Sequence, residues 1–137
     1  MSFFNSMNIS ASAMSAQMIR LNTVSSNLAN AETASSDEAG AYRSKHPVFE
    51  TILSKEKGFP TPGMVRVRNI EESSAPPRQV YSPGHPMAND AGYLYLPNVN
   101  SIQEMADMIS ASRAYQNNIE IMQTSRQLML RTMQIGR

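Results

Sequence analysis

The chain has 137 residues, with 12 basic and 11 acidic side chains and no cysteine. That length suits one domain, the balanced charge excludes a general nucleic-acid binder, which needs a concentrated basic face, and the missing cysteines exclude disulfides and thiolate metal sites. No run approaches the roughly 18 uninterrupted apolar residues of a membrane span, so direct membrane insertion is not expected.

The amino terminus lacks the basic start and continuous apolar block of a secretory signal peptide. Instead, Met7, Met14, Leu21 and Leu28 recur at seven-residue intervals, interleaved with Phe4, Ala11, Met18 and Ser25. Such a pattern predicts a coiled-coil-like helix over residues 4–31, with an apolar stripe on one side. Arg20 is the only charged residue from Met1 to Ala31, and the remaining surface is Ser, Asn and Ala. A solvated helix face usually carries acid–base pairs. A small neutral face is cheap to desolvate and lets backbones approach, so it reads as a second packing surface. Ser and Asn are mediocre helix formers, so this helix owes its stability to contacts.

All eight prolines and five of the six glycines lie between Gly40 and Pro97. Residues 36–97 are therefore different material, a small β-containing middle unit between two terminal helices. Tyr42–Leu53 can be extended or partly helical, and Pro47 favours extended. Val65–Arg68 alternates like a half-buried strand, and Gln79–Tyr81 and Tyr93–Leu96 are further strand candidates. Pro83-Gly84 and Asn89-Asp90-Ala91-Gly92 read as turns, and Lys55–Gly63 as an exposed loop.

Ser101-Ile102-Gln103-Glu104 has the form of a capping box. A helix over residues 101–135 follows, with Gly136 suited to its end. Met105, Ser112, Ile119, Arg126 and Met133 form one seven-residue series, and Met108, Tyr115, Met122 and Met129 the other. Ile121, Leu128 and Ile135 widen the apolar face beyond what a single partner helix covers. Eight of the 11 methionines lie in the two helical segments, where a flexible thioether adapts to irregular neighbours.

Sites for chemistry are scarce. His46 and His85 each precede a proline and have no carboxylate or second histidine at metal-ligand spacing. Glu71-Glu72 is an adjacent pair, not an acid and base opposed across a substrate. Arg66, Arg68 and Arg78 read as a solvated sheet face balanced by Glu71 and Glu72. Asn89-Asp90 reads as a turn, not a cation ligand set, and no phosphate-cradling glycine loop is present. Neither catalytic residues, nor a metal, nor a cofactor is expected.

Ser26-Asn27-Leu28-Ala29-Asn30-Ala31-Glu32-Thr33 resembles the amino-terminal signature of the flagellar basal-body rod and hook protein family. The stretch from Glu104 to Gln116 resembles its carboxy-terminal signature, with Asn117 standing where the family usually has Ala and Gln123 where it has Asn. Pro83-Gly84-His85-Pro86-Met87-Ala88, with Gly92-Tyr93 and Leu96-Pro97-Asn98-Val99, is similar to a proximal-rod member. The resemblance implies a mainly α protein whose terminal helices form an antiparallel coiled-coil-like hairpin. It divides the chain into residues 1–35 and 98–137 as axial core and residues 36–97 as a small outer domain. It implies a proximal-rod subunit that polymerises into a hollow drive shaft in the periplasm, transmits torque and encloses the export channel. Such subunits leave by type III export without a cleaved signal peptide. Implied partners are other copies, the other proximal-rod proteins, the distal-rod protein, the inner-membrane-ring adaptor and the MS ring. The residues expected at the assembly interface are Met7, Met14, Met18, Leu21, Val24, Asn27, Leu28 and Asn30 in the first helix. In the second they are Met105, Met108, Ile109, Tyr115, Ile119, Met122, Leu128, Met129 and Met133. The competing expectation is a soluble coiled-coil adaptor that satisfies both stripes internally and does not polymerise.

Overall fold

The computed structural model describes residues 3–53 and 63–135. Two long helices, α1 (Phe3–Ala29) and α2 (Ser101–Ile135), bracket four short strands. At ~1.5 Å per residue, α1 is ~40 Å long and α2 ~52 Å. Both span proline-free sequence, and both begin and end within a few residues of the expected limits. The first helix stops at Ala29 instead of Ala31. There the Asn30 amide nitrogen and side-chain Nδ2 both donate to the Ser26 carbonyl, at 3.1 and 2.8 Å, while Ala31 N turns back to Leu28 O. Asn30 thus satisfies the last carbonyls that a helix end leaves free.

The second helix starts one residue earlier in its capping pattern than expected. Ser101 is already helical, and Asn100 is the N-cap: its Oδ1 accepts from Ile102 N at 3.1 Å and Gln103 N at 3.3 Å. Asn is as good a cap as Ser because its side-chain oxygen reaches the same free amides. Glu104, released from the capping role, is buried. Gly136 lies outside the described residues.

Between the helices, β1 (Lys45–Ile52) pairs antiparallel with β2 (Met64–Glu72), and β3 (Arg78–Tyr81) pairs antiparallel with β4 (Tyr93–Leu96). The first pair changes register between Val48 and Phe49. Pro47 is accommodated because β1 has only one strand neighbour, so the amide it lacks is not needed on the open side. Arg66 pairs with Glu50, and Lys45 with Glu72 at 3.5 Å, so this ladder is balanced by partners across it. Of the expected Lys55–Gly63 loop, only Gly63 lies within the described residues. A Cβ there would come within 2.6 Å of Thr51 Cγ2 and 2.7 Å of the Ile52 carbonyl, which requires glycine.

In the second pair, Asn89 Oδ1 accepts from Ala91 N and Tyr93 N, closing the expected turn. Gly92 has φ +79°, and an added Cβ would sit 2.9 Å from the Tyr81 ring. That ring packs edge-on against Tyr93 with centroids 5.1 Å apart, so Gly92 serves both the left-handed backbone and the aromatic contact. Ser35 bridges the other edge of β4 through two hydrogen bonds with Tyr95. Asn98 joins the two halves of the middle, accepting from Ser44 N at 2.8 Å and donating to the Ala75 carbonyl at 2.7 Å.

The core runs along α1, which packs on α2 and on both β1 and β2. Ser6 meets Ser125 at one end, and Arg20 meets Asp107 further along, so α1 runs against α2. Arg20, the lone charge of its helix, lies 2.6 Å from Asp107, with the two side chains 28% and 29% exposed. A double-mutant cycle on Arg20→Met and Asp107→Asn, followed by urea denaturation, should give a coupling of ~1 kcal/mol that shrinks as salt rises. Zero coupling at low salt would mean that the pair does not set the alignment of the helices.

Candidate assembly interface

The buried set is unusual for so apolar a sequence. Its hydrophobic members are Ala16, Val24, Ala41, Leu94 and Ala111, and beside them lie Ser10, Thr23, Asn27, Ser44, Glu104 and Ser125. The largest side chain buried completely is Asn27. Large apolar side chains instead lie at the surface, contrary to the usual partition.

On α1 the exposed positions follow one stripe, Phe4, Asn8, Ala11, Ser15, Met18, Asn22, Ser25 and Ala29, at alternating steps of four and three, with Ser26 beside it. The single apolar stripe expected from sequence therefore divides. Met7, Met14, Leu21 and Leu28 are half-buried, whereas Phe4 and Met18 are 64% and 49% exposed. The small neutral residues, read from sequence as a second packing surface, divide as well: Ser10, Ala16, Thr23 and Asn27 are buried against the same chain, while Asn8, Ala11, Ser15, Asn22 and Ser25 lie outside. Ser12 Oγ accepts from Val65 N at 3.2 Å on the β2 side. Ser6 and Arg20, two heptads apart, meet α2. Ser, Ala and Thr suit such contacts because they allow close backbone approach.

Asn27 ends the same seven-residue series as Ser6, Ala13 and Arg20. Its Nδ2 donates to the Lys45 carbonyl at 2.8 Å, and its Oδ1 accepts from Lys45 N and from the Tyr42 hydroxyl, both at 2.9 Å. A primary amide offers the same donor and acceptor as a peptide group. Asn27 thus pairs the first residue of β1 much as a neighbouring strand would. In this conformation a second molecule cannot reach it, nor Val24, which is 4% exposed. Asn30 is occupied by the helix end described above. Of these three expected interface residues, Asn27 and Val24 are covered by their own chain in this conformation, and Asn30 is half-buried.

On α2, Glu104, Ala111 and Ser125 are buried, and Met108, Tyr115, Asn118, Met122 and Met129 are half-buried. They define the inward seam. Only Met108, Tyr115, Met122 and Met129 are apparent from apolar spacing. Glu104, Ala111, Asn118 and Ser125 are seven apart but small or polar, and that shared spacing is the signal that could have found them. Gln17 Oε1 and Glu104 Oε2 are buried without a hydrogen-bond partner in the described residues. The other expected series faces largely outward: Met105 and Met133 are 56% and 66% exposed, Arg126 is exposed, and Ile119 is half-buried. Ile102 and Ile109 lie outward beside Met105, and Ile121, Leu128 and Leu130 lie outward near the far end.

Residues considered for chemistry stay apart. His46 is exposed on β1, and His85 Nδ1 accepts from Met87 N in a turn. Among the described residues no three His, Cys, Asp or Glu side chains are grouped to hold a metal, and no helix is long and apolar enough to cross a membrane.

Fold and surface together define a class: an antiparallel pair of long helices, braced by the β1–β2 pair, that carries many of its large apolar side chains outside. Two family models match this chain, "Flagella basal body rod protein" over residues 7–34 and "Flagellar basal body rod FlgEFG protein C-terminal" over residues 90–135. It is 43% identical over 136 residues to the flagellar basal-body rod protein FlgC of Yersinia enterocolitica, and 42% identical over 136 residues to that of Salmonella typhimurium, with 99% of each chain covered in both cases. The FlgC of Aquifex aeolicus is 41% identical over 132 residues, covering 96% of each chain. The chain belongs to the flagellar basal-body rod proteins, in the FlgC family.

Proposed function

We propose that this chain is a structural subunit of the proximal rod, polymerising through the outward faces of α1 and α2 into a hollow shaft that transmits torque and encloses the export channel. The helix pair acts as an antiparallel coiled-coil-like hairpin in the wall of the tube, and residues 36–97 form the outer unit. Other copies, neighbouring rod proteins and the inner-membrane-ring adaptor are its partners, in the periplasm, after export without a cleaved signal peptide. Its work is mechanical, and it carries out no catalysis.

The observation that supports this reading is the row Ile102, Met105 and Ile109, exposed by 81%, 56% and 57% at helical spacing. Burying apolar surface contributes ~25 cal/mol per Å², so a few hundred Å² per contact gives several kcal/mol before the cost of ordering. A soluble adaptor would hide such a row. Expression in a strain lacking its own proximal-rod protein of this family tests the proposal. Restored swimming, with the chain recovered in purified basal bodies, is the expected result. A chain that is exported but absent from the basal bodies overturns it.

A further inference from the structure

The outward side of the β3–β4 pair is aromatic. Tyr81 lies opposite Tyr93, and Gln79 opposite Tyr95, so these four side chains share one face of the two-stranded sheet. Tyr81 is 65% exposed and Tyr93 37%, Gln79 is exposed, and Tyr95 is half-buried. Val80 and Leu94 take the opposite face, where Leu94 is buried. Among the described residues, neither helix and no other strand packs against the pair. A strand face turned to water ordinarily carries polar and charged side chains, so three tyrosines there call for a use.

Two of the rings are held in place. Tyr81 packs edge-on against Tyr93, in the space that the missing Cβ of Gly92 leaves open, with Pro83 beside it. Of the five tyrosines, only Tyr42 spends its hydroxyl on the chain itself among the described residues. The hydroxyls of Tyr81, Tyr93 and Tyr95 are left to a ligand. From strand geometry the face measures ~7 Å along the strands and ~5 Å across them. None of its four side chains is charged. The segment joining the strands adds the exposed Asp90, whose charge repels phosphate. A nucleic acid or an anionic lipid surface would need lysines and arginines here.

A sugar ring has the matching surface. Its flat faces carry C–H groups, which the negative face of an aromatic ring attracts. Its edge carries hydroxyls, which a tyrosine hydroxyl bonds as donor or acceptor. The Gln79 carboxamide offers the donor and acceptor that pair with an acetamido group. We infer that the Tyr81–Tyr93 face is a binding platform for an uncharged glycan chain of N-acetylated amino sugars, the backbone chemistry of the bacterial cell wall. Rings fixed before binding lose little freedom on contact. The face holds only one or two sugar units, so a single platform is weak, and several side by side act by avidity. The inference goes beyond the rod-subunit reading and does not depend on it.

Titration of the full chain with tetra-N-acetylchitotetraose, followed by NMR of backbone amides and tyrosine rings, tests the inference. Signals of Gln79, Tyr81, Tyr93 and Tyr95 should shift together and saturate with a Kd of about 1 mM. Between ~0.05 M and ~0.5 M salt that Kd should change less than about twofold, because no charge takes part. Tyr81→Ala should weaken binding about tenfold or more. Tyr93→Phe and Tyr95→Phe, which keep the rings and delete only hydroxyls, should each weaken it about threefold. These two carry the test if Tyr81→Ala disturbs the hairpin. An absence of shifts at ~20 mM sugar overturns the inference. So do shifts centred elsewhere on the chain, or affinity unchanged in all three variants. A preference for a single-stranded oligonucleotide that disappears with salt overturns it too, and marks a phosphate contact instead. A chain that binds the sugar as expected but fails to restore swimming in the rod-deficient strain keeps the inference and loses the rod-subunit reading. The reverse result keeps the reading alone.

Discussion

Replacing Asn27 with alanine should cost ~3 kcal/mol of folding stability in urea denaturation of the purified chain. The substitution removes three hydrogen bonds at once, leaves the Lys45 amide and carbonyl without their Asn27 partner, and leaves the Tyr42 hydroxyl with Ser26 alone. Asn27 is 0% exposed, so no solvent reaches the site to compensate. Asn27→Asp should do no better, because a carboxylate cannot donate to the Lys45 carbonyl and is costly to bury. Tyr42→Phe, which deletes the bond to Asn27 and the exposed one to Ser26 and keeps the ring, should cost only ~1 kcal/mol. An Asn27→Ala chain within ~0.5 kcal/mol of the natural one would show that the end of α1 and the start of β1 are held by other contacts.

The second large effect should appear only on assembly. Ile102→Gln, Met105→Gln and Ile109→Gln together remove the most exposed apolar row on α2 while retaining helix-compatible side chains. Monomer stability should move by less than ~1 kcal/mol, because these residues are already largely in solvent. Self-association, or incorporation into basal bodies, should fall by a factor of ~100 or more, as expected from losing ~3 kcal/mol of apolar burial at the contact. Met108→Ala with Met122→Ala, on the inward seam, should give the opposite pattern, with stability lost first. An outward variant that assembles normally would remove this row from the interface and leave the inward residues as the only apolar organisation on α2.

The two helices are legible in the sequence because every proline and every glycine falls outside them, and strand β4 because Tyr-Leu-Tyr-Leu alternates next to a clear turn. The faces are less legible. A seven-residue repeat says which residues share a side, not which side the chain covers itself. Met and Phe at such spacing look like a core, yet here Ser6, Ser12, Ala16, Thr23 and Ala111 let the elements approach closely, and Phe4, Met18 and Met105 are left outside. Asn27 could be found as part of a motif but not as a strand partner, because its three bonds depend on Tyr42 and Lys45, more than a dozen residues away in sequence. The cap shifted from Ser101 to Asn100 because both types serve, and only the direction of the entering chain decides between them.

The inverted distribution of side chains, with asparagine at the centre and isoleucine in water, also bears on supply. A polypeptide with such a coat cannot be stockpiled at high concentration without sticking to whatever it meets. For the rod subunit proposed above, synthesis should keep pace with incorporation, so the cell's inventory of unplaced copies should stay small.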